Sequence, residues 1–375
     1  MNFFDDFNTI FRESLNSMDN KWTDIDGKDS RIGLDNLGNT CYLNAVVQCL
    51  SNTDLLRQYF FSDKCEEDLT TSDGMIAYAF SRLIRQLWTT EDPKRTARSV
   101  RPTQLKSLCD RWSALSWGQN DAHEFLALLV DAIHADLNRV RVKRAITRTT
   151  DENDNRLDAN TLAIQSWNEF QRNNDSIITD LFYGQYVSSI HCTVCPKVSL
   201  KFDPFVYLSL PIPIKHTDIH LTDCLRLYTA PEYLSHSNSW YCPKCKTNRE
   251  ARKQIHFWRL PHVVIIQLKR FCFDVNSCPE KITGFVDFPL YLNLDSGMTD
   301  SLGRKSSMLE MRHQLVMPLH LPPVMWRKTS LRLQFKGLGW RRFDDNRVDD
   351  IREDYVITRN AYILFYKRKE YKSNL

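Results

Sequence analysis

The periodicity of the chain changes once, near Leu181, and that change limits the folds open to it. Upstream, Ala122, Phe125, Leu126, Leu129, Val130, Ile133 and Leu137 fall at i, i+3, i+4, i+7 spacing, with Asp121, Glu124, Asp131 and Asp136 off the stripe. That pattern predicts an amphipathic helix, one of a helical block running from Thr40 to about Asn138 and broken at Pro93 and Pro102. Downstream, Tyr186–Ile190, Val206–Leu210 (closed by Pro211 and Pro213), His262–Leu268 and Ala361–Tyr366 read as strands. Helices first and strands afterwards point to the α+β class. Residues 1–29 are polar and read as an extension outside the fold. Residues 139–175, basic and then rich in Asp and Asn, read as an exposed excursion.

Charge and hydropathy exclude some functions. A chain of 375 residues with 42% hydrophobic and 26% charged residues can bury a large core. Fifty basic against 46 acidic residues leave a net charge of +4, too small and too dispersed for a nucleic-acid partner. The longest apolar run, Phe125 to Val130, is far short of the roughly 18 residues a membrane span needs, so no membrane association is expected. Eleven cysteines, an odd number, follow a start (Met1 to Asp6) with no basic and then apolar leader. A reducing compartment, cytoplasm or nucleus, is the expected location.

Four of those cysteines are spaced for a metal. Cys192-Thr193-Val194-Cys195 and Cys242-Pro243-Lys244-Cys245 each set two thiols two residues apart, as a knuckle turn requires. Two such pairs complete a tetrahedral four-thiolate site, and four thiolates leave no open position, so the expected ion is a structural zinc. The 46 residues between Cys195 and Cys242 put the pairs on the tips of two separate hairpins. Four reduced thiols without metal are the alternative. Cys49, Cys65, Cys109, Cys224, Cys272 and Cys278 lack metal spacing and read as core or surface thiols.

A fifth cysteine lies in the string Gly33-Leu34-Asp35-Asn36-Leu37-Gly38-Asn39-Thr40-Cys41-Tyr42-Leu43-Asn44. Asn39 or Thr40 can cap a helix that continues through Ala45, Val46, Cys49 and Leu50. A thiol at that start feels the partial positive charge of the helix N-terminus, which favours the nucleophilic thiolate. Asn36 offers an amide donor for an oxyanion. A small buried hydrophobe is the alternative for Cys41 taken alone. The whole string, however, resembles the cysteine box of the ubiquitin-specific proteases.

Further segments resemble that family in its own order. They are Gln119-Asn120-Asp121-Ala122-His123-Glu124-Phe125, with Asn120 where the family has a second Gln; Phe202 to Pro213; Leu260 to Phe271; and Trp340 to Val348 followed by Ala361 to Tyr366. The resemblance implies a papain-like α+β cysteine protease fold, with a helical thumb, a β-sheet palm and zinc-tipped β fingers. The catalytic domain would span 30–369 and the fingers about 181–260. It implies a deubiquitinating thiol protease in which Cys41 attacks the terminal glycine carbonyl of ubiquitin and Asn36 stabilises the oxyanion. Asp344, with Asp345 as a neighbouring candidate, would orient a histidine base, and Asp121 and Glu124 would meet the basic tail of bound ubiquitin. For Asp344-Asp345 before Asn346, a simple turn is the alternative.

The histidine breaks the pattern. The family carries a Gly-His-Tyr-type element where this chain has Met325 to Leu333, and that window holds no histidine. His320 and His313 are poor substitutes, since neither follows a glycine or precedes an aromatic residue. A thiol protease without its imidazole is slow, so a catalytically silent ubiquitin-binding module is the runner-up reading. Residues 298–338 resemble nothing in the family, and Pro318, Pro322 and Pro323 there predict an irregular segment in place of a palm strand. Read from the third base of the Pro323 codon, the codons for Pro323 to Arg327 permit Gly-His-Val-Ala, so a shifted frame explains the loss. The nucleotide sequence between the codons for Leu292 and Trp340 tests this: a Gly-His pair is expected in another frame, and its absence from every frame refutes the idea.

Overall fold

The computed structural model describes residues 31–70, 74–88, 99–112, 120–142, 158–213, 219–272, 280–293, 308–316, 330–335 and 339–368. The polar extension 1–29 therefore lies outside the described residues. Two compact units emerge, 1–137 with 333–352, and 138–332 with 353–375.

The first unit is mainly helical. The expected stripe forms helix Ala122–Leu137, and its buried residues are the seven that the periodicity selects. It packs against helix Cys41–Ser51, every residue of which is buried, and against helix Met75–Trp88. Tyr42 meets the edge of Phe125, ring centroids 5.3 Å apart, so the side chain next to Cys41 is fixed by the stripe. Pro102 precedes helix Thr103–Cys109, as a break should. A short parallel pair, Gly33–Leu34 with Ser99–Val100, and the antiparallel hairpin Gly339–Asp344/Arg347–Ile351 complete the unit.

The second unit holds the sheets. In the palm, Val263–Lys269 pairs parallel with Tyr207–Pro211 and antiparallel with Ala361–Arg368. Val263, Val264, Ile265, Ile266 and Leu268 are all buried, which is why the run reads as continuous rather than alternating. In the fingers, four antiparallel strands follow the order Val198–Phe205, Gly184–Cys192, Ala251–Arg259, Glu232–Leu234. Gly184 is required there, because a Cβ would lie 2.5 Å from the Phe205 ring and 2.7 Å from the Arg259 carbonyl. Among the described residues, no helix is long and apolar enough to cross a membrane.

Two expectations need correction. The excursion 139–175 contains helix Ala159–Gln171, capped by Asp158, whose carboxylate accepts from the Thr161 N–H at 2.7 Å. Ala163 joins Val187, Phe202 and Trp258 in one core, with Ala159 and Leu162 packed against it, and this apolar contact outweighs the polar flanks. Second, the stretch 298–338 is not irregular throughout. Met308–Val316 pairs antiparallel with Ala361–Arg368, and Ser330–Phe335 is also a strand. The prolines lie beyond the first strand and so remove none of its donors. The register does slip between Met311 and His313 and between Leu315 and Val316. His313 sits on this strand; His320 and the rest of the stretch lie outside the described residues.

Because Phe125 is fully buried against Tyr42, Phe125→Ala is expected to destabilise the protein by about 3–5 kcal/mol in denaturant unfolding.

Candidate active site and four-cysteine cluster

The string around Cys41 folds into a loop organised by one side chain. The Asn36 Oδ1 accepts from the Gly38 N–H at 2.9 Å, the Thr40 N–H at 3.2 Å and the Thr40 hydroxyl at 3.4 Å. The Thr40 Oγ1 in turn accepts from the Leu37 N–H at 2.9 Å. Gly38 and Asn39 carry φ of 97° and 57°, left-handed positions that glycine and asparagine tolerate best. Thr40 is the residue before the helix, yet it gives no side-chain cap, because its hydroxyl is spent on the loop. Cys41 is the first helical residue and is 2% exposed. It therefore sits at the positive end of the helix dipole with no capping side chain to offset that charge.

The hairpin turn reaches this loop from far along the sequence. Asp345 and Asn346 form its two-residue tip, with Asp345 at φ 55°. The Asp345 carboxylate accepts from the Asn36 Nδ2 at 2.9 Å through one oxygen and from the Asn44 Nδ2 at 2.8 Å through the other. Its main-chain carbonyl accepts from the Leu34 N–H at 2.9 Å. Gly33 admits this approach, since a Cβ there would lie 2.6 Å from Asp345 and Asn346 backbone atoms. Asp344 ends the preceding strand, and among the described residues its carboxylate takes no hydrogen bond or ion pair. The turn is thus a simple turn that also meets the cysteine loop, through Asp345 rather than Asp344. Asn44, three residues after Cys41 and 2% exposed, is a contact that the sequence reading did not single out.

Asp121 and Glu124 lie at the start of helix Ala122–Leu137. Asp121 Oδ1 accepts from the N–H groups of His123 at 2.6 Å and Glu124 at 3.2 Å, so this carboxylate caps the helix. Glu124 is exposed. Asn120 donates to the Tyr42 hydroxyl at 3.1 Å, linking the helix start to the residue after Cys41.

In the second unit, Cys192 and Cys195 occupy the hairpin Gly184–Cys192/Val198–Phe205, and Cys242 and Cys245 the hairpin Trp240–Cys242/Thr247–Arg249. Their ligand atoms all lie within 4.8 Å of one another, with Cys195 Sγ and Cys242 Sγ 3.6 Å apart. Zn–S bonds of about 2.3 Å in a tetrahedron place sulfurs roughly 3.8 Å apart, so the donor set can hold such an ion. The Cys245 N–H points at Cys242 Sγ at 3.4 Å, as a knuckle's amide does.

The remaining described thiols behave differently. Burial alone pushes Cys49 well above its ordinary pKa, and burial first of all pushes Cys65 and Cys109 to about 12 and Cys224 to about 11. These are inert core groups. Cys278 lies outside the described residues, as do the side-chain surroundings of Cys272.

Comparison with known proteins supports the architecture. Residues 32–315 match the family model of ubiquitin carboxyl-terminal hydrolases. Ubiquitin carboxyl-terminal hydrolase 4 of Saccharomyces cerevisiae is 31% identical, covering 91% of this chain and 39% of that protein. The human ubiquitin carboxyl-terminal hydrolase 2 is 32% identical, covering 89% of this chain and 54% of that protein. The chain thus spans between about two fifths and about half of these relatives. Among solved structures, the SAGA Ubp8/Sgf11/Sus1/Sgf73 DUB module bound to ubiquitin aldehyde gives a TM-score of 0.72 at 23% identity, covering 93% of this chain and 71% of that one. A form of that module bound to monoubiquitin gives 0.73 at 23% identity, covering 97% and 75%. The fold is that of the ubiquitin-specific proteases, and the chain belongs to the ubiquitin carboxyl-terminal hydrolase family.

Proposed function

We propose that the chain is a deubiquitinating thiol protease that hydrolyses the peptide or isopeptide bond at the C-terminal glycine of ubiquitin. The observation that carries the reading is the Asn36 amide, held at 2.9 Å by Asp345 in the loop that leads into Cys41. The Cys41 sulfur attacks the glycine carbonyl, and the carbonyl oxygen gains the negative charge of a tetrahedral intermediate. One hydrogen of the Asn36 Nδ2 goes to Asp345; the other is left to meet that oxygen, from a side chain that is itself exposed. Collapse expels the lysine or backbone amine, which takes the proton the thiol gave up, and leaves a thioester; water adds to it, and its protons go to the departing thiolate and to solvent, giving the free carboxylate and thiol.

Asp344 is the carboxylate that remains for orienting an imidazole, since both oxygens of Asp345 are engaged. Glu124, with the capping Asp121 beside it, faces the basic tail of ubiquitin. The four cysteines 192, 195, 242 and 245 hold a structural zinc, a site that suits a reducing compartment, the cytoplasm or nucleus. A second reading is favoured by one observation, the absence of a Gly-His pair where the family places its base. On that reading the chain binds ubiquitin without turning it over.

A ubiquitin probe with a C-terminal electrophile separates the two. Covalent labelling that disappears in Cys41→Ser, together with release of a fluorophore from ubiquitin's C-terminus, is the enzyme's signature. Ubiquitin binding with neither labelling nor release supports the silent module, and no ubiquitin binding at all rejects both. For the metal, elemental analysis should find one zinc per chain. A Cys242→Ser/Cys245→Ser double variant should lose it and unfold at lower temperature, whereas an unchanged zinc content refutes the assignment.

A further inference from the structure

Asn44 is an expensive residue in its present position. It is 2% exposed, and its Nδ2 faces three acceptors: Asp345 Oδ1 at 2.8 Å, and the Leu34 and Asp35 carbonyls at 3.3 Å each. Its own Oδ1 is buried and accepts nothing. An amide has two donor hydrogens, so the three acceptors share them, and an unused buried acceptor lowers stability. The side chain is thus turned to present its amide donors, above all to Asp345, at the cost of its own acceptor.

The three residues form a ladder from the interior to the surface. Asn44 is anchored in the first helical turn, three residues after Cys41, Asp345 is half-buried at the hairpin tip, and Asn36 is exposed in the loop. Asp345 is joined to both asparagines by its two oxygens, so the carboxylate plane cannot rotate without breaking one bond. The short distance to Asn44, against the longer ones to the two carbonyls, makes the bond to Asp345 the dominant use of that amide.

We propose that Asn44 is the positioning residue of the oxyanion donor: it locks the Asp345 carboxylate, which in turn fixes the direction of the Asn36 amide. The inference rests on the oxyanion role proposed for Asn36. It predicts that Asn44 acts on the tetrahedral state and leaves ubiquitin binding alone, although it touches neither.

Ubiquitin aldehyde forms a hemithioacetal with a cysteine, whose oxygen occupies the oxyanion position, whereas ubiquitin itself reports ground-state binding. In the full chain, Asn44→Ala should weaken ubiquitin aldehyde binding about 10-fold, less than the roughly 100-fold expected when the donor itself is removed in Asn36→Ala, because the loop still holds the Asn36 Oδ1. Ubiquitin affinity should stay within about twofold, since the lost interaction exists only in the tetrahedral state. The Asn36→Ala/Asn44→Ala pair should lose no more than Asn36→Ala alone, because both act through one amide. Multiplying losses, or equal losses for ubiquitin and its aldehyde, overturn the proposal. A second readout needs no ubiquitin. The Asn36 side-chain amide resonances in ¹⁵N NMR should show a proton slow to exchange in the parent chain and fast in Asn44→Ala. Unchanged Asn36 resonances overturn the positioning role. If the parent chain ignores ubiquitin and its aldehyde while the Asn36 amide is freed by Asn44→Ala, the protease reading fails and the positioning link stands.

Discussion

The Asp345 carboxylate, shared between Asn36 and Asn44, is the contact on which the candidate site depends. It ties two stretches of chain about 300 residues apart into one surface, through hydrogen bonds of 2.9 and 2.8 Å. Hydrogen bonds to a carboxylate are worth roughly 1.5–3 kcal/mol each, enough to set the geometry of a loop that carries no regular structure of its own. The approach is possible because Gly33 has no side chain and because the turn accepts a left-handed residue at Asp345.

What brings the hairpin there is apolar burial rather than charge. Arg342–Asp349, Arg341–Asp350 and Arg31–Asp350 form a conspicuous ionic network along it. The Arg31–Asp350 pair is exposed on both sides and contributes about 0–1 kcal/mol, whereas Arg341, 2% exposed, is a buried cation whose pairing with Asp350 mainly offsets its own desolvation. Trp340 and Phe343, each 3% exposed, contribute roughly 1.5–3 kcal/mol each by burial. The ion pairs then select register, with Arg342 opposite Asp349 and Arg341 opposite Asp350.

Where one physical signal dominated, the sequence was legible. The stripe of helix Ala122–Leu137 and the β-branched run of Val263–Lys269 declare themselves, because burial on one helical face or on both faces of a sheet constrains every residue. The paired cysteines announced their turns by a different signal, the two-residue spacing that a knuckle requires. Helix Ala159–Gln171 is hard to read, although Ala159, Leu162, Ala163 and Trp167 have helical spacing, because charge-rich flanks mask a narrow stripe. Strand Met308–Val316 was missed because its partner, Ala361–Arg368, supplies the pairing, and strand propensity depends on such neighbours. In the candidate site, the string places Asn36 in the loop that leads into the helix begun by Cys41, but it does not say which of Asp344 and Asp345 reaches that loop. Two adjacent identical residues differ only in the backbone angle that sends one carboxylate toward the loop.

The four-cysteine cluster answers a different deficiency. The hairpin Trp240–Cys242/Thr247–Arg249 has three residues per strand, Thr247 to Arg249 are all exposed, and Tyr241 is 58% exposed. A two-stranded hairpin of that size has too little apolar surface to hold itself in water. The neighbouring hairpin offers little more at its tip, where Val194 is 62% exposed. Four sulfurs converge there from both hairpins within 4.8 Å of one another, a set that can hold one ion in place of the missing core, and metal binding to such a set is folding free energy. Among the described residues these two hairpin tips have little apolar cover, and the zinc site proposed for them would require the four cysteines to stay reduced.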